Sequence, residues 1–118
     1  MQFSTLAVSL AFIASATAVT LSGFPNPFTC GTFNGTQTWT EEELKALVVG
    51  VDKSTPFEES ASNIASGRCV RMRLPYYLVG LGKGASTLGF AYDEANEIYE
   101  YCFSQTVDLN GDRWPDAC

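Results

Sequence analysis

Residues 68–82 read RCVRMRLPYYLVGLG, and the periodicity of this stretch sets the fold class. Val70, Met72 and Leu74 alternate with Arg71 and Arg73, the period-two pattern of a half-buried strand with two guanidinium groups on one face. Pro75 interrupts the pattern. YYLVGL (76–81) then continues as strand until Gly80, Gly82 and Gly84 open a loop around Lys83. TLGFAY (87–92) and EIYEYCFS (97–104) read as two further strands joined by a turn at 93–96. Upstream the pattern is helical. Thr40 and Glu43 have the spacing of a capping box, and Glu41, Glu42 and Glu43 suit the positive end of a helix. Leu44, Leu47, Val48 and Val51 recur at i, i+3, i+4 and i+7, which predicts a helix over 41–52. FTC (28–30) is a short strand, GTFNGTQ (31–37) a turn, and residues 53–67 and the tail after 104 are loops. One helix followed by a run of strands predicts an α+β fold, with a single N-terminal helix packed on a curved antiparallel sheet of four to five strands.

The first 18 residues, MQFSTLAVSLAFIASATA, carry no charged side chain and end in small residues. They read as a secretory signal peptide cleaved after Ala18, which leaves residues 19–118 as a single exported domain. Ser9, Ser15 and Thr17 break the apolar run, so a membrane span is not expected. The chain carries 7 Lys and Arg against 13 Asp and Glu, a net charge of −6. Such a surface repels phosphate backbones and anionic lipid, although a local basic patch remains compatible with it. Four cysteines, Cys30, Cys69, Cys102 and Cys118, read as two disulfides in an oxidising compartment, with three connectivities open. Cys69 and Cys102 fall at strands that could meet across the sheet, which leaves Cys30 for Cys118. With no histidine and no close cysteine pair, disulfides are read ahead of zinc. Asn34-Gly35-Thr36 is an N-glycosylation sequon.

FTCGTFNGTQTWTEEELKAL (28–47), PYYLVGL (75–81) and AYDEANEIYEYCFSQT (91–106) together resemble the fungal guanyl-specific ribonucleases, and the final cysteine is similar to their long-range disulfide position. The resemblance covers most of residues 28–118 at the level of pattern. It implies a microbial-ribonuclease-like fold, and it implies where catalytic groups would stand. The general base falls at Leu78, the cationic clamp at Gly89 and the general acid near Ser104. Cleaving RNA requires one group to take the 2′-hydroxyl proton and another to protonate the leaving oxygen, each worth about 10²–10⁴ in rate. Neither Leu78 nor Ser104 can do this near neutrality, and Gly89 supplies no charge. The resemblance therefore implies a non-catalytic relative, similar to the ribonuclease-like effectors that plant-pathogenic fungi secrete, acting on a host protein or, second, on RNA.

The remaining candidates have plain readings beside the functional ones. Arg68, Arg71 and Arg73 could hold a phosphate or an acidic partner, or be a solvated face paired with Glu97 or Glu100. Tyr76, Tyr77, Tyr99, Tyr101 and Phe103 could stack a base, or be core. An active nuclease with displaced residues would draw on Glu97, Glu100 and Arg71. In DLNGDRWPD (108–116), Asp108, Asn110, Asp112 and Asp116 stand at positions 1, 3, 5 and 9 of a calcium-loop spacing, with the Trp114 carbonyl at 7. Arg113 replaces the loop glycine and the closing Glu is missing, so an Asx turn competes with Ca2+ and an extracellular calcium-binding module is the further alternative. No other cofactor is expected.

Overall fold

The structure is a computed structural model that describes residues 18–113 and 115–118. The expected leader lies outside the described residues except for Ala18, as does Trp114. Among the described residues no helix is long and apolar enough to cross a membrane.

The elements are β1 (Thr20–Ser22), β2 (Phe28–Thr32), β3 (Gly35–Trp39), α1 (Glu41–Val49), β4 (Tyr76–Gly80), β5 (Thr87–Asp93) and β6 (Ile98–Gln105). The helix starts where the sequence places it. Thr40 Oγ1 accepts from the Glu43 amide at 3.1 Å, and Glu43 Oε1 accepts from the Thr40 amide at 2.9 Å. It ends at Val49, short of the expected 52, because Gly50 follows as the cap. Leu44 and Val48 are its buried stripe.

Strands β1, β6, β5 and β4 form one sheet in that order, and β2 and β3 form a separate hairpin. The sheet expected to be antiparallel is mixed. β1 lies parallel to β6, with Thr20 opposite Ile98, while β6–β5 and β5–β4 are antiparallel. Three residues are too few for a periodic signal, so β1 could not be read from the sequence.

The segment 68–74 is not a strand. Gly67–Cys69 is a turn of 3-10 helix, and the Val70 and Met72 amides donate to the Gly67 and Cys69 carbonyls. Gly67 has φ +62, and a Cβ there would lie 2.5 Å from the Cys102 carbonyl oxygen. A glycine is needed for both reasons, and it brings the turn hard against β6. The apolar alternation still has a cause. Met72 and Leu74 pack inward with Ala61, Cys69, Tyr76, Ala91 and Cys102, while Val70 is exposed.

The sheet thus separates two apolar layers. On one face Tyr77, Leu88, Phe90 and Tyr99 pack with α1 and with Phe28, Cys30 and Trp39 of the hairpin. On the other, the loop 58–74 covers Tyr76, Ala91 and Cys102. Disulfides Cys30–Cys118 and Cys69–Cys102 join the pairs expected. The first ties the hairpin to the C-terminus, and the second ties the covering loop to β6.

Candidate functional site

Leu78, Gly89 and Ser104 do not line one face. Leu78 is opposite Gly89, and Gly89 is opposite Phe103, so these three share the loop-covered face. Ser104 is opposite Leu88 and points into the layer under the helix. There it is 4% exposed, with its hydroxyl 2.6 Å from the Tyr101 hydroxyl. A bulge decides the outcome. Gly89 pairs with Phe103 but Phe90 with Tyr101, which leaves Cys102 as an extra residue in β6. The β6 residues that the register sets on the face of Leu78 include Glu100, Phe103 and Gln105.

Around Gly89 there is no room for a catalytic group. A Cβ on Gly89 would stand 2.3 Å from the Tyr76 hydroxyl and 2.8 Å from Phe103 Cε1. The Tyr76 and Phe103 rings stack at 6.5 Å, and Phe57 meets Tyr76 edge-on at 6.1 Å. Tyr76 is 1% exposed, and burial pushes its phenol up to about 12. It therefore stays neutral and serves as filling.

The carboxylate that the register sets on this face is Glu100, one pleat along from Gly89 at Ala91. It is bound to Arg68 at 3.1 Å, and Arg68 also donates to the Tyr101 carbonyl at 3.0 Å. Its guanidinium lies against Gly23, where a Cβ would come within 2.3 Å. Of the three arginines, Arg68 thus takes the paired, structural role. Glu97 sits in the β5–β6 turn with φ +52 and makes no ion pair among the described residues. Arg71 and Arg73 are exposed on the loop and make no ion pair among the described residues.

The tyrosines are committed to the interior. Tyr77 and Tyr99 are buried under the helix, and Tyr101 packs on Phe24 at 5.4 Å and Phe28 at 6.3 Å. Burial, with a smaller contribution from Tyr92, pushes Tyr99 up to about 12. A residue the sequence placed in a polar loop explains this packing. Lys53 Nζ lies 5.2–6.0 Å from the Tyr77, Phe90, Tyr92 and Tyr99 rings. It donates to the carbonyls of Val48 at 2.8 Å, Val49 at 3.3 Å and Val51 at 2.8 Å. The ammonium completes the C-terminal end of α1 from within an aromatic box. Desolvation lowers its pKa. A lysine just past a helix end was the available signal.

Residues 108–113 turn around the Asp108 carboxylate. Asp108 accepts from the Gly111 amide at 2.8 Å and the Arg113 amide at 2.7 Å. Desolvation raises its pKa, but the amides outweigh it and hold the group below its ordinary value. Asn110 donates to Asp116 at 3.1 Å. Among the described residues no three carboxylates, cysteines or histidines converge as metal ligands.

A cavity of about 170 Å³ lies beside the start of α1, lined by Leu21, Phe24, Pro25, Asn26, Trp39 and Glu41. Glu41 is its lone titratable lining group, so it holds no acid–base pair. Asn34 is exposed at the tip of the β2–β3 hairpin.

No family model, no curated protein and no solved structure matches the chain.

Proposed function

We propose that this chain is an exported, non-catalytic binding protein on a ribonuclease-like frame, of the kind a plant-colonising fungus secretes as an effector, and that it engages an acidic segment of a host protein through the loop carrying Arg71 and Arg73. One observation carries the reading. The sheet face of Leu78 and Gly89 is filled by the Tyr76 and Phe103 rings and covered by the loop stapled at Cys69–Cys102. A face packed in this way leaves little space for transferring protons to and from RNA, and its carboxylate, Glu100, is already paired with Arg68. Two disulfides and a charge-free apolar leader sequence support export.

The choice of partner follows from charge. The loop 68–73 holds three of the seven cationic residues, and without them four cations face thirteen anions. A long phosphate backbone would meet that remaining negative surface, whereas a short acidic peptide needs only the two free guanidinium groups. The test is fluorescence anisotropy of the full chain with a labelled Glu/Asp-rich peptide and with single-stranded RNA, beside an RNA hydrolysis assay. Peptide binding lost in Arg71→Glu/Arg73→Glu, with no RNA turnover, is expected. RNA binding without peptide binding moves the partner to nucleic acid. RNA turnover abolished by Glu100→Gln overturns the non-catalytic reading in favour of a nuclease with displaced residues.

A further inference from the structure

We infer that Asn34 carries an N-linked glycan whose first sugar lies over the Phe33 ring. The inference rests on export but on no part of the binding site. Asn34-Gly35-Thr36 is the single Asn-X-Ser/Thr sequon in the chain. It sits at the tip of the β2–β3 hairpin, where Thr32 pairs with Gly35. Thr32 fixes the turn by itself. Its hydroxyl donates to the Gly35 carbonyl at 2.7 Å and accepts from the Asn34 amide at 3.1 Å. The Asn34 carboxamide and the Thr36 hydroxyl make no hydrogen bond among the described residues, and both residues are exposed. A Cβ built on Gly35 would meet nothing within 4 Å, so a bulky substituent has room at the tip.

Phe33, the residue before Asn34, is 73% exposed, the most of any large apolar side chain described. No described residue covers it. A sugar attached one residue away can lay its C–H face on the ring and remove that surface from water. The hairpin belongs to the helix-side layer, whereas the arginine loop covers the opposite sheet face. A glycan at Asn34 therefore leaves the arginine loop open.

The chemistry balances with one co-reactant, a lipid-linked oligosaccharyl diphosphate. The carboxamide nitrogen forms a bond to C1 of the sugar and the C1–O bond to diphosphate breaks. The lipid diphosphate leaves with that electron pair, and the amide proton passes to the medium.

The full chain is expressed in a eukaryotic secretory host, and the medium and cells are analysed by mass spectrometry before and after peptide N-glycosidase. Secreted protein whose Asn34 is read as Asp after digestion, with no glycan on Asn34→Gln or Thr36→Ala, is expected. Secreted, disulfide-bonded protein without a glycan overturns this inference and leaves export standing. Protein kept reduced inside the cell overturns both. Phe33→Ser tests the ring contact. The glycosylated chain should melt a few degrees above Asn34→Gln when Phe33 is present and level with it when Phe33 is replaced. An equal rise in both backgrounds overturns the contact.

Discussion

Replacing Gly89 tests the packing that closes the candidate catalytic face. In Gly89→Ala the new methyl would stand 2.3 Å from the Tyr76 hydroxyl and 2.8 Å from Phe103 Cε1. The hydroxyl is the far end of a side chain, but this one is 1% exposed with its ring stacked on Phe103, so it has little freedom to swing away. Overpacking of this kind costs about 1–3 kcal/mol. Restricting the unfolded chain returns about 0.4–1 kcal/mol. Overpacking wins, with a net loss of about 1–2 kcal/mol and a fall in Tm of roughly 5–15 °C for a domain this size. Thermal and urea unfolding of the disulfide-intact protein, followed by near-UV circular dichroism, measures it. Tyr76→Phe removes the nearest atom, so the same substitution in that background should cost about 1 kcal/mol less. Gly89→Arg, which puts a cation where the resemblance expects one, should destabilise further and yield no RNA hydrolysis. If Gly89→Ala is instead as stable as the parent or more so, the rings do not fill this face, and it has room for a catalytic group.

Other outcomes follow from the same contacts. Lys53→Met leaves the helix end and the aromatic box without their cation and should cost about 1–3 kcal/mol in urea unfolding. Lys53→Arg should not restore it, because the planar fork cannot reach three carbonyls as a compact ammonium does. The sequence separations of 33 and 88 give the Cys69–Cys102 and Cys30–Cys118 bridges about 3.7 and 4.6 kcal/mol of loop-closure stabilisation. Replacing either pair by alanine should lower Tm by roughly 15 °C or more, read by calorimetry. Tyr76 and Tyr99 are pushed up to about 12 from an ordinary value of 10. A raised folded-state pKa adds stability that is complete below the unfolded value and lost as pH climbs to the folded one. Urea midpoints should thus hold up to about pH 10 and fall between about 10 and 12, and Tyr76→Phe should shallow that fall.

What the sequence disclosed was local. The helix was legible because Thr40, Glu43 and the Leu44–Val48 stripe encode it within ten residues. The β5–β6 hairpin was legible because its turn residues lie between two apolar runs. Both disulfides followed once Cys69 and Cys102 were set near neighbouring elements. The misreadings came from competition that periodicity cannot register. Residues 70–74 alternate as a strand does, yet Gly67 and Pro75 bracket them in turns, and their apolar members face the sheet from a loop. Ser104 was grouped with Leu78 and Gly89 by the resemblance, and the bulge at Cys102 sets it on the opposite face. Lys53 was read as part of a polar loop because its partners, the carbonyls of Val48, Val49 and Val51 and four rings, come together only in the folded chain.

The two sides of the sheet differ in what they expose. Under the helix, the hairpin, Lys53 and the tyrosines form a closed layer with its polar atoms spoken for. On the other side, a loop held at Cys69 by a disulfide and at Arg68 by Glu100 presents Val70, Arg71 and Arg73 outward. Fixing a loop at residues on its inner side lowers the entropy lost when its outer side is engaged. Two free cations on a chain of net charge −6 also make the local field opposite in sign to the global one. The proposed acidic partner would be steered toward this loop by the contrast with the net negative charge. Arg71→Glu/Arg73→Glu should accordingly slow association more at low salt than at high salt, while Arg68→Gln, which loosens the loop itself, should act mainly on dissociation. Equal effects of both variants on the two rates would show that the loop does not work as a pre-set, oriented surface.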